Sequence, residues 1–385
     1  MPMNIDRTVT AVEDLRILAR RRVPRMFYDY VDCGSWSEAT YRANSRDMAE
    51  WNFRQRVAVN IEGRSSETTL LGEPVAMPLA LAPAGLAGMQ CADGEILAAR
   101  AAAAFGVPFT MSTMSVCSIE DVAAATKRPF WFQLYMMKDR TFMGDLIDRA
   151  KAAGCSALVL TLDLQVQGQR HKDIKNGLST PPKLTLANLA NLMTKPRWCW
   201  GMLRTKRRSF GNIVGHAPDI DDTSSMALWV SEQFDQTLDW AAVDWVKARW
   251  GGKLILKGIM DPEDARHAVS AGADAIVVSN HGGRQLDGAP ASIHALPAIV
   301  DAVGNETEVH FDSGVRSGQD VFRALALGAK AAHIGRAYMY GLGALGEDGV
   351  ARCLSIIRKE LDLTMALCGV RKVEEITRDT LVPRN

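Results

Sequence analysis

The chain has 385 residues, and its 45 Lys and Arg residues nearly balance its 44 Asp and Glu residues, for a formal net charge of +1. This balance is not the profile of a general nucleic-acid binder. Hydrophobic residues at 47% and charged residues at 23% are typical of a soluble globular protein and argue against intrinsic disorder. The length permits two domains or one large barrel with additions.

Cysteine usage and hydropathy exclude several further classes of protein. The seven cysteines are scattered without a C-x-x-C pair or a Cys/His cluster, so neither a metal site nor a disulfide framework is expected. The first ten residues lack the apolar core of a secretory signal. Because no run of about 18 apolar residues occurs, no membrane-spanning helix is expected either. We therefore expect a protein of the reducing cytoplasm.

Eight short apolar runs predict buried strands, and most of them precede helical patterns such as Asp93–Ala104, Asp139–Ala153 and Gly318–Leu327. The runs are Leu79–Pro83, Pro108–Ser112, Phe130–Tyr135, Ala157–Asp163, Lys253–Lys257, Ala275–Ser279, Glu308–Asp312 and Ala332–Gly335. Eight such strands alternating with helices predict an α/β fold of the (β/α)8 TIM-barrel type. A doubly wound open sheet is the alternative.

Polar residues at the strand ends favour the barrel, because a barrel gathers these ends on one face whereas an open sheet spreads them along an edge. They are Ser112, Gln133, Tyr135, Thr161, Asp163, Lys257, Ser279, His281, Asp312, Gly335 and Arg336. About 75 residues before the first strand predict an N-terminal cap of helices, followed by an extended pair around Leu70–Met77. A long insertion, from about Gly168 to Trp250, follows the fourth strand.

The segment from Ser279 to Asp287, directly after the sixth strand, carries the richest chemistry. His281 could accept a proton and Arg284 could pair with a carboxylate through two hydrogen bonds, although a lone loop histidine is often structural. Arg170, after the fourth strand, predicts a second cation for an anionic ligand, with a surface salt bridge as the alternative. Asp163 could orient His281.

The loops after strands seven and eight predict a phosphate site. Glycines together with Arg316 and Arg336 match the position at which barrels commonly bind phosphate, and plain turns would leave both arginines unexplained. Lys257, at the end of strand five, either forms a Schiff base or stays protonated against an electron-rich ring. A lysine that reaches from the barrel rim to solvent is a third possibility.

Seven segments together resemble the FMN-dependent L-2-hydroxy acid dehydrogenases and oxidases, and the resemblance runs from about Val23 to Val382. The segments are Phe27–Tyr30, Ala82–Gly85, Phe132–Tyr135, Lys257–Gly258, Ser279–Asp287, Asp312–Gly318 and Leu363–Leu367. Met111–Val122 and Lys151–Asp163 resemble most the bacterial membrane-associated L-lactate dehydrogenases. The resemblance implies oxidation of L-lactate, with electrons passing through FMN to membrane quinone. An L-mandelate-type dehydrogenase or an oxygen-using oxidase is the alternative.

The resemblance also implies roles for individual residues. His281 would be the base, supported by Asp163, and Tyr30 would contact the substrate as part of the catalytic set. Arg170 and Arg284 would hold the substrate carboxylate, with Tyr135 donating a hydrogen bond. Lys257 would stay protonated against the reduced flavin. FMN would lie against Pro83, Ala84, Gly85, Ser112, Gln133, Thr161, Lys257, Ser279, Asp312, Gly314, Arg316, Gly335 and Arg336.

Three positions bear on specificity. Met114 and Gln167 occupy places that flank the substrate side chain, where other family members carry aromatic or apolar residues, so the identity of the substrate stays open. Gly85 resembles the dehydrogenase members, whereas oxidases carry alanine there.

The insertion carries a basic, partly apolar segment from Leu178 to Pro218, with seven cations and no Asp or Glu. Apolar residues fall at helical spacing and tryptophans follow: Leu186, Leu189, Ala190, Met193, Trp198 and Trp200. This composition is typical of a segment that lies on an anionic bilayer. An ordinary basic loop, or a binding protein whose Lys206–Arg208 tract engages nucleic acid, is the alternative.

The family resemblance favours the membrane, because its membrane-associated members carry a long insertion at this point. We therefore expect one FMN-dependent dehydrogenase domain over residues 1–385, held peripherally at the cytoplasmic side of the inner membrane. No nucleic-acid partner is expected. The resemblance also implies a homo-oligomer, often a tetramer in this family.

Overall fold

The computed structural model describes residues 5–178, 185–214 and 232–383. The strands are β1 Trp51–Phe53, β2 Thr68–Leu70, β3 Glu73–Val75, β4 Leu79–Leu81, β5 Thr110–Ser112, β6 Trp131–Tyr135, β7 Ala157–Thr161, β8 Lys253–Ile259, β9 Ala275–Val278, β10 Glu308–Phe311, β11 Ala331–Ile334 and β12 Leu381–Pro383. Each of the eight predicted runs overlaps one of the strands β4 to β11.

Helices surround these strands. They are α1 Ile5–Thr8, α2 Val12–Arg22, α3 Arg25–Val31, α4 Ala39–Arg46, α5 Ala87–Gln90, α6 Gly94–Phe105, α7 Ile119–Ala125, α8 Arg140–Ala152, α9 His171–Lys175, α10 Leu186–Met193, α11 Pro196–Arg204, α12 Trp240–Trp250, α13 Pro262–Ser270, α14 Ser292–Val303, α15 Gly318–Ala326, α16 Arg336–Leu345 and α17 Glu347–Leu367. Short 3-10 turns lie at Asp47–Glu50, Val373–Glu375 and Arg378–Thr380.

Strands β4 to β11 form one parallel sheet in the order β4-β11-β10-β9-β8-β7-β6-β5. A parallel bridge between Leu81 and Phe109 joins the two ends of this sheet, and the amide of Leu81 donates to the carbonyl oxygen of Pro108 at 2.9 Å. Strands β7 and β9 are buried along their whole length, as expected for a sheet covered on both faces. The predicted (β/α)8 barrel is confirmed, and the doubly wound alternative is wrong.

Side chains cap several barrel helices directly after the strand-end loops. The hydroxyl of Ser118 accepts a hydrogen bond from the amide of Asp121, and that of Ser317 accepts one from the amide of Asp320. Asp139 accepts from two amides at the start of α8. A cap of this kind stabilises a helix by about 1 kcal/mol. These caps fix where the loops at the active face end.

Two separate sets of buried residues make up the core. The larger set lies between the strands and the surrounding helices. The smaller set fills the barrel interior with small or branched side chains: Ala80, Ala157, Val159, Ile255, Ala275, Val277 and Ala331, together with Trp131. Trp131 stacks near His310 and His333, which also point into the interior. Two buried histidines in this layer are not anticipated by the apolar pattern of the strands.

The N-terminal region closes the barrel and supports its active face. Hairpin β2–β3 corresponds to the predicted extended pair, and its Leu70, Leu71 and Val75 pack with the barrel interior. On the cap helices, the carboxylate of Asp32 accepts hydrogen bonds from the hydroxyls of Tyr28, Tyr41 and Tyr340 and from Arg16. Through its hydrogen bond with Tyr340, Asp32 links the C-terminal end of α3 to α16.

The insertion between β7 and β8 carries α9, α10 and α11. Helix α10 confirms the helical spacing predicted from Leu186 to Met193. The segments 179–184 and 215–231, which include Lys183 and Pro218 of the basic segment, lie outside the described residues. Across the described ranges, no helix combines the length and the apolar character needed to cross a bilayer.

Candidate active site

A cavity of about 570 Å³ opens over the C-terminal ends of the barrel strands. Fifteen of the residues predicted from the sequence line it: Tyr30, Pro83, Ala84, Gly85, Tyr135, Thr161, Arg170, Lys257, His281, Arg284, Asp312, Gly314, Arg316, Gly335 and Arg336. Met114 and Gln167 line it as well. The convergence of strand ends therefore brings together residues that lie as far apart in the chain as Tyr30 and Arg336.

The remaining predicted residues lie immediately behind this lining. Asp163 contacts His281, and Ser279 accepts a hydrogen bond from Lys257. The hydroxyl of Ser112 donates to Oε1 of Gln133 at 3.0 Å. Nε2 of Gln133 is buried without a hydrogen-bond partner, which is costly for an amide donor. A bound ring that offers a carbonyl oxygen would satisfy it, so the donor set fits the pyrimidine edge of a flavin.

His281 and Asp163 form a hydrogen-bonded pair at the cavity wall, with 2.8 Å between Nδ1 and Oδ1. His281 has a left-handed backbone with φ of 57°, and its amide donates to the hydroxyl of Ser279. Such a backbone is uncommon for a residue other than glycine and often marks a functional position. Because Nδ1–H donates to the carboxylate, Nε2 is left as the basic nitrogen.

Burial and the neighbouring charge have opposite effects on the pKa of each member of this pair. Burial lowers the pKa of His281 below its ordinary value, although the negative charge of Asp163 opposes the shift. Burial alone would raise the pKa of Asp163, but the charges of His281 and Lys257 and the hydrogen bond from His281 hold it below its ordinary value. The pair is therefore poised as a neutral imidazole beside a carboxylate, which is the state a general base requires.

Arg170 and Arg284 place two guanidinium groups in the same cavity. Arg170 is 6% exposed, and Nη1 of its guanidinium lies 3.7 Å from a carboxylate oxygen of Asp173. Its Nε is buried without a partner, and burial together with the charge of Arg284 lowers its pKa. Arg284 lies 4.8 Å from the centroid of the Tyr30 ring and donates to the Tyr30 carbonyl oxygen at 2.6 Å. A buried and a partly buried cation without full neutralisation fit an anionic ligand.

Lys257 is 4% exposed and lies at the end of β8. Its Nζ donates to the hydroxyl of Ser279 at 2.9 Å and lies 3.4 Å from the carboxylate of Asp312. This ion pair suits a protonated amine, because a buried ammonium group needs a counter-charge. Among the three roles left open by the sequence, a lysine that reaches solvent is wrong, since the side chain is enclosed.

The loops after β10 and β11 form the predicted anion-binding corner. Gly314 has φ of 103°, and a Cβ there would collide with the carbonyl group of Asn44. The amide groups at the start of α16 lie beside Gly335, and amides at a helix start favour anions. Arg316 lines the cavity, whereas Arg336 already donates to the carbonyl oxygens of Val31, Cys33 and Gly282. The side chain of Arg336 thus also fixes the histidine loop.

Several lining residues were missed by sequence reasoning. They are Met26, Met89, Leu164, Leu178, Arg208, Phe210, Phe234, His333 and Met339. Phe234 packs edge-on against Tyr135 with 5.7 Å between ring centroids, and it is brought there by a bridge between Met137 and the end of the insertion. No local motif marks most of these positions, since Phe210 and Phe234 come from the insertion and Met26, Met89 and Met339 lie on α3, α5 and α16.

The fold and the cavity define a barrel oxidoreductase that holds a phosphate-bearing cofactor and an anionic substrate. The family described as FMN-dependent dehydrogenase matches residues 19–383. The chain belongs to this FMN-dependent family of 2-hydroxy acid dehydrogenases and oxidases.

Solved structures agree with this assignment. One is a monotopic membrane protein, (S)-mandelate dehydrogenase, at 35% identity over 97% of this chain and 99% of that chain, with a TM-score of 0.93. A soluble mutant of the membrane-associated (S)-mandelate dehydrogenase from Pseudomonas putida is 35% identical over 97% and 99% of the chains, with a TM-score of 0.83. A mandelate oxidase mutant with (S)-mandelic acid is 34% identical over 97% and 98%, with a TM-score of 0.82.

Proposed function

We propose that this chain, acting as one domain, oxidises L-lactate to the 2-oxo acid and passes the electrons through FMN to a membrane quinone. The observation that carries the proposal is the placement of the His281–Asp163 pair and the two arginines, Arg170 and Arg284, at one cavity. A 2-hydroxy acid offers what this cavity can bind, since its carboxylate suits the arginines and its hydroxyl proton suits a neutral imidazole.

Different residues of the cavity wall would bind the substrate and accept its proton. Arg170 and Arg284 bind the substrate carboxylate, and Tyr30 and Tyr135 donate hydrogen bonds to the carboxylate or the hydroxyl. Nε2 of His281 takes the hydroxyl proton while Asp163 holds Nδ1–H and stabilises the imidazolium that forms. Bound FMN supplies the two-electron acceptor for this oxidation.

The cofactor would be held along the strand ends. The amine of Lys257, ion-paired with Asp312, would stabilise negative charge on the bound ring. Ser112, Gln133 and Thr161 fit the pyrimidine edge, with the free amide of Gln133 as donor. The other contacts would come from Pro83, Ala84, Gly85, Ser279, Asp312, Gly314, Arg316, Gly335 and Arg336.

The two candidate substrates, lactate and an aryl hydroxy acid, differ in the size of the side chain that the cavity must accept. Met114 and Gln167 both line the cavity, and an amide at the wall suits a short side chain better than a phenyl ring, which would leave its polar atoms desolvated. This favours lactate. An aryl substrate is the second candidate, because the similar structures described above are of mandelate enzymes and Phe234 adds an aromatic ring beside Tyr135.

We expect the purified yellow protein to bleach anaerobically with L-lactate. The value of kcat/KM for flavin reduction should be at least about tenfold higher with L-lactate than with (S)-mandelate. Substrates that differ in their side chain typically differ by about one or two kcal/mol in transition-state binding free energy in such a pocket. Stopped-flow absorbance of the flavin gives both values. D-lactate is the stereochemical control and should leave the protein yellow. Faster bleaching with (S)-mandelate would replace lactate with the aryl substrate.

The electron acceptor follows from a second mixing step with the same reduced protein. A quinone analogue should reoxidise it faster than air-saturated buffer. Faster reoxidation by oxygen would make the protein an oxidase and remove the quinone from the proposal.

Helices α10 and α11 expose the surface that we propose rests on the membrane. Its apolar side chains are among the most exposed of the described chain: Leu186 86%, Leu189 47%, Met193 79%, Trp200 61% and Leu203 68%. Arg204 lies over the ring of Trp200 at 5.1 Å, and exposed Arg20, Arg21 and Arg25 of the neighbouring α2 and α3 add positive charge. An apolar patch bordered by cations suits an anionic bilayer.

The two predicted interfacial tryptophans differ in the structure. Trp200 faces outward, whereas Trp198 stacks on Phe27 at 5.4 Å and donates from Nε1 to the carbonyl oxygen of Met89 at 2.8 Å. Phe27 and Met89 line the cavity. Trp198 therefore fastens the exposed helices to the cavity wall, which would place a bilayer-resident acceptor close to the flavin.

The basic tract at 206–208 does not favour nucleic acid. Arg207 forms ion pairs with Asp93 at 3.0 Å and Asp121 at 2.7 Å, and Arg208 donates to the carbonyl oxygens of Thr205 and Leu203. Cations committed to internal contacts leave little free charge for phosphates. We propose instead a peripheral location at the cytoplasmic side of the inner membrane, as a homo-tetramer.

Replacing Leu186, Met193, Trp200 and Leu203 with serine should abolish sedimentation with anionic vesicles, with binding weakened at least about tenfold. Each buried apolar side chain contributes about 1.5–3 kcal/mol to such binding. Flavin content and lactate bleaching should be unchanged. Val57, which is 79% exposed but lies outside the α10–α11 surface, supplies the matched control as Val57→Ser. Unchanged vesicle binding by the quadruple variant would refute this surface as the membrane contact.

A further inference from the structure

A hydrogen-bonded chain of three side chains runs through the barrel interior. Oε2 of Glu308 lies 3.0 Å from Nε2 of His310, and Nδ1 of His310 lies 2.9 Å from Nε2 of His333. Both histidines are buried, at 0% and 2% exposed, and the ring of Trp131 stacks beside them. None of these groups takes part in the chemistry proposed above.

This hydrogen-bonded chain of side chains connects the two ends of the barrel. His333 lines the cavity that we assign to FMN and substrate. Glu308 lines a separate depression of about 550 Å³ at the opposite end, together with Asp274, Glu306, Lys330 and Glu374. The Glu308 side chain is 26% exposed, so the lower end of the hydrogen-bonded chain is open to solvent while its upper end borders the cavity.

The carboxylate fixes the hydrogen positions along the chain. Glu308 also accepts from the amide of Leu71 at 3.0 Å, so it acts as an acceptor toward the protein. Nε2–H of His310 must then donate to it, which leaves Nδ1 of His310 to accept from Nε2–H of His333. Nδ1 of His333 carries no hydrogen in this arrangement. It is buried without a hydrogen-bond partner, so the chain ends in a vacant proton-accepting nitrogen.

The charges around the chain come from three strands. Lys257 of β8 faces His333 from above, paired with Asp312, which follows β10. Lys330, which precedes β11, faces Glu308 at the lower end, where Nζ of Lys253 of β8 lies near Gly72. The neighbouring strand β4 contributes no titratable group.

Without an added negative charge in the cavity, the pKa values of His333 and Glu308 are both shifted from their ordinary values. Burial lowers the pKa of His333 well below its ordinary value, and the charge of Lys257 adds to this. Burial alone would raise the pKa of Glu308, but the contacts with His310 and Leu71 hold it below its ordinary value. These directions favour a neutral His333 above an ionised Glu308 carboxylate.

We propose that the Glu308–His310–His333 chain is a redox-linked proton acceptor that takes up one proton when two electrons enter the flavin. Oxidation of a 2-hydroxy acid yields two electrons and two protons. A flavin bound in the cavity would take up both electrons and one proton, which would add one negative charge to the cavity. The hydroxyl proton goes to Nε2 of His281 and from there to solvent, and a separate proton taken from solvent occupies Nδ1 of His333. Glu308 supplies the counter-charge through His310, and this proton returns to solvent on reoxidation.

This inference rests on FMN in the cavity and not on which hydroxy acid is the substrate. It can therefore be tested by electrochemical titration with mediator dyes, without any substrate. Each proton taken up with two electrons shifts the midpoint potential by about 30 mV per pH unit. Between about pH 6 and 8 the wild type should show a slope near 60 mV per pH unit, and His333→Leu should show about 30 mV.

Two further variants keep the test decisive if His333→Leu loses its flavin. Glu308→Gln keeps the size of the side chain but removes the counter-charge, so its slope should also fall toward 30 mV per pH unit. His294→Gln is the control, because His294 pairs with Asp47 outside the barrel and should keep the wild-type slope. A wild-type slope of 30 mV, or a slope of 60 mV in Glu308→Gln or His333→Leu, would overturn the proposal.

Discussion

Replacing His281 with glutamine should slow anaerobic flavin reduction by L-lactate by a factor of about 10²–10⁴, the usual contribution of a positioned general base. Glutamine is close in size, so the loss would report the missing base and not an empty space. The bound flavin should keep its absorbance, because His281 is assigned to the substrate and not to the cofactor. The rate constant for bleaching at saturating substrate is the measurement.

The pH dependence distinguishes a base from a structural histidine. Because the base must be neutral, the rate of flavin reduction should fall as the pH drops through the pKa of His281. Burial lowers that pKa, so the acid limb should lie below pH 6.5, the ordinary value for histidine. In Asp163→Asn the negative charge that raises the pKa is gone, so the limb should move to still lower pH. A flat profile, or near-normal reduction by His281→Gln, would remove His281 from the mechanism.

Arg284→Met should weaken substrate binding by a factor of about 10²–10³, since removing one partner of a buried charge pair costs about 2–5 kcal/mol. The guanidinium lies against the Tyr30 ring and shares the cavity with Arg170, so methionine would remove the charge while keeping much of the packing. The apparent Kd for L-lactate, from the substrate dependence of the bleaching rate, is the readout.

A matched arginine outside the cavity separates this effect from a general loss of stability. Arg323 is also largely enclosed, pairs with Asp320 at 3.2 Å and lies over the ring of Phe53. Arg323→Met should lower thermal stability without changing the Kd for L-lactate. Equal Kd values in wild type and Arg284→Met would show that the carboxylate binds elsewhere.

Much of the barrel was readable from the sequence for a physical reason. Strands covered on both faces must be apolar along their whole length, so runs such as Ala157–Asp163 and Ala275–Ser279 stand out between helical patterns. The same logic placed the candidate site, because parallel strands around a barrel all end on one face. Polar residues directly after these runs therefore had to meet, and most of those predicted now line one cavity.

Part of the structure of the basic insertion could be predicted from the sequence. The helical spacing of its apolar residues predicted a helix, and α10 confirms it. The sequence did not separate Trp198, which packs against Phe27, from the exposed Trp200. Nor did it show that Arg207 is neutralised by Asp93 and Asp121, because these partners lie 114 and 86 residues away.

By itself, the sequence determined the number and type of the barrel elements, the loops that carry chemistry and, through its resemblance, the FMN-dependent family. Only the tertiary structure decided which residues face the barrel interior. A fully buried strand is apolar on both sides, so its sequence does not reveal which side is which. His310 and His333, 23 residues apart, met only because adjacent strands set their register. Contacts between distant segments, set by packing, were likewise invisible to local periodicity.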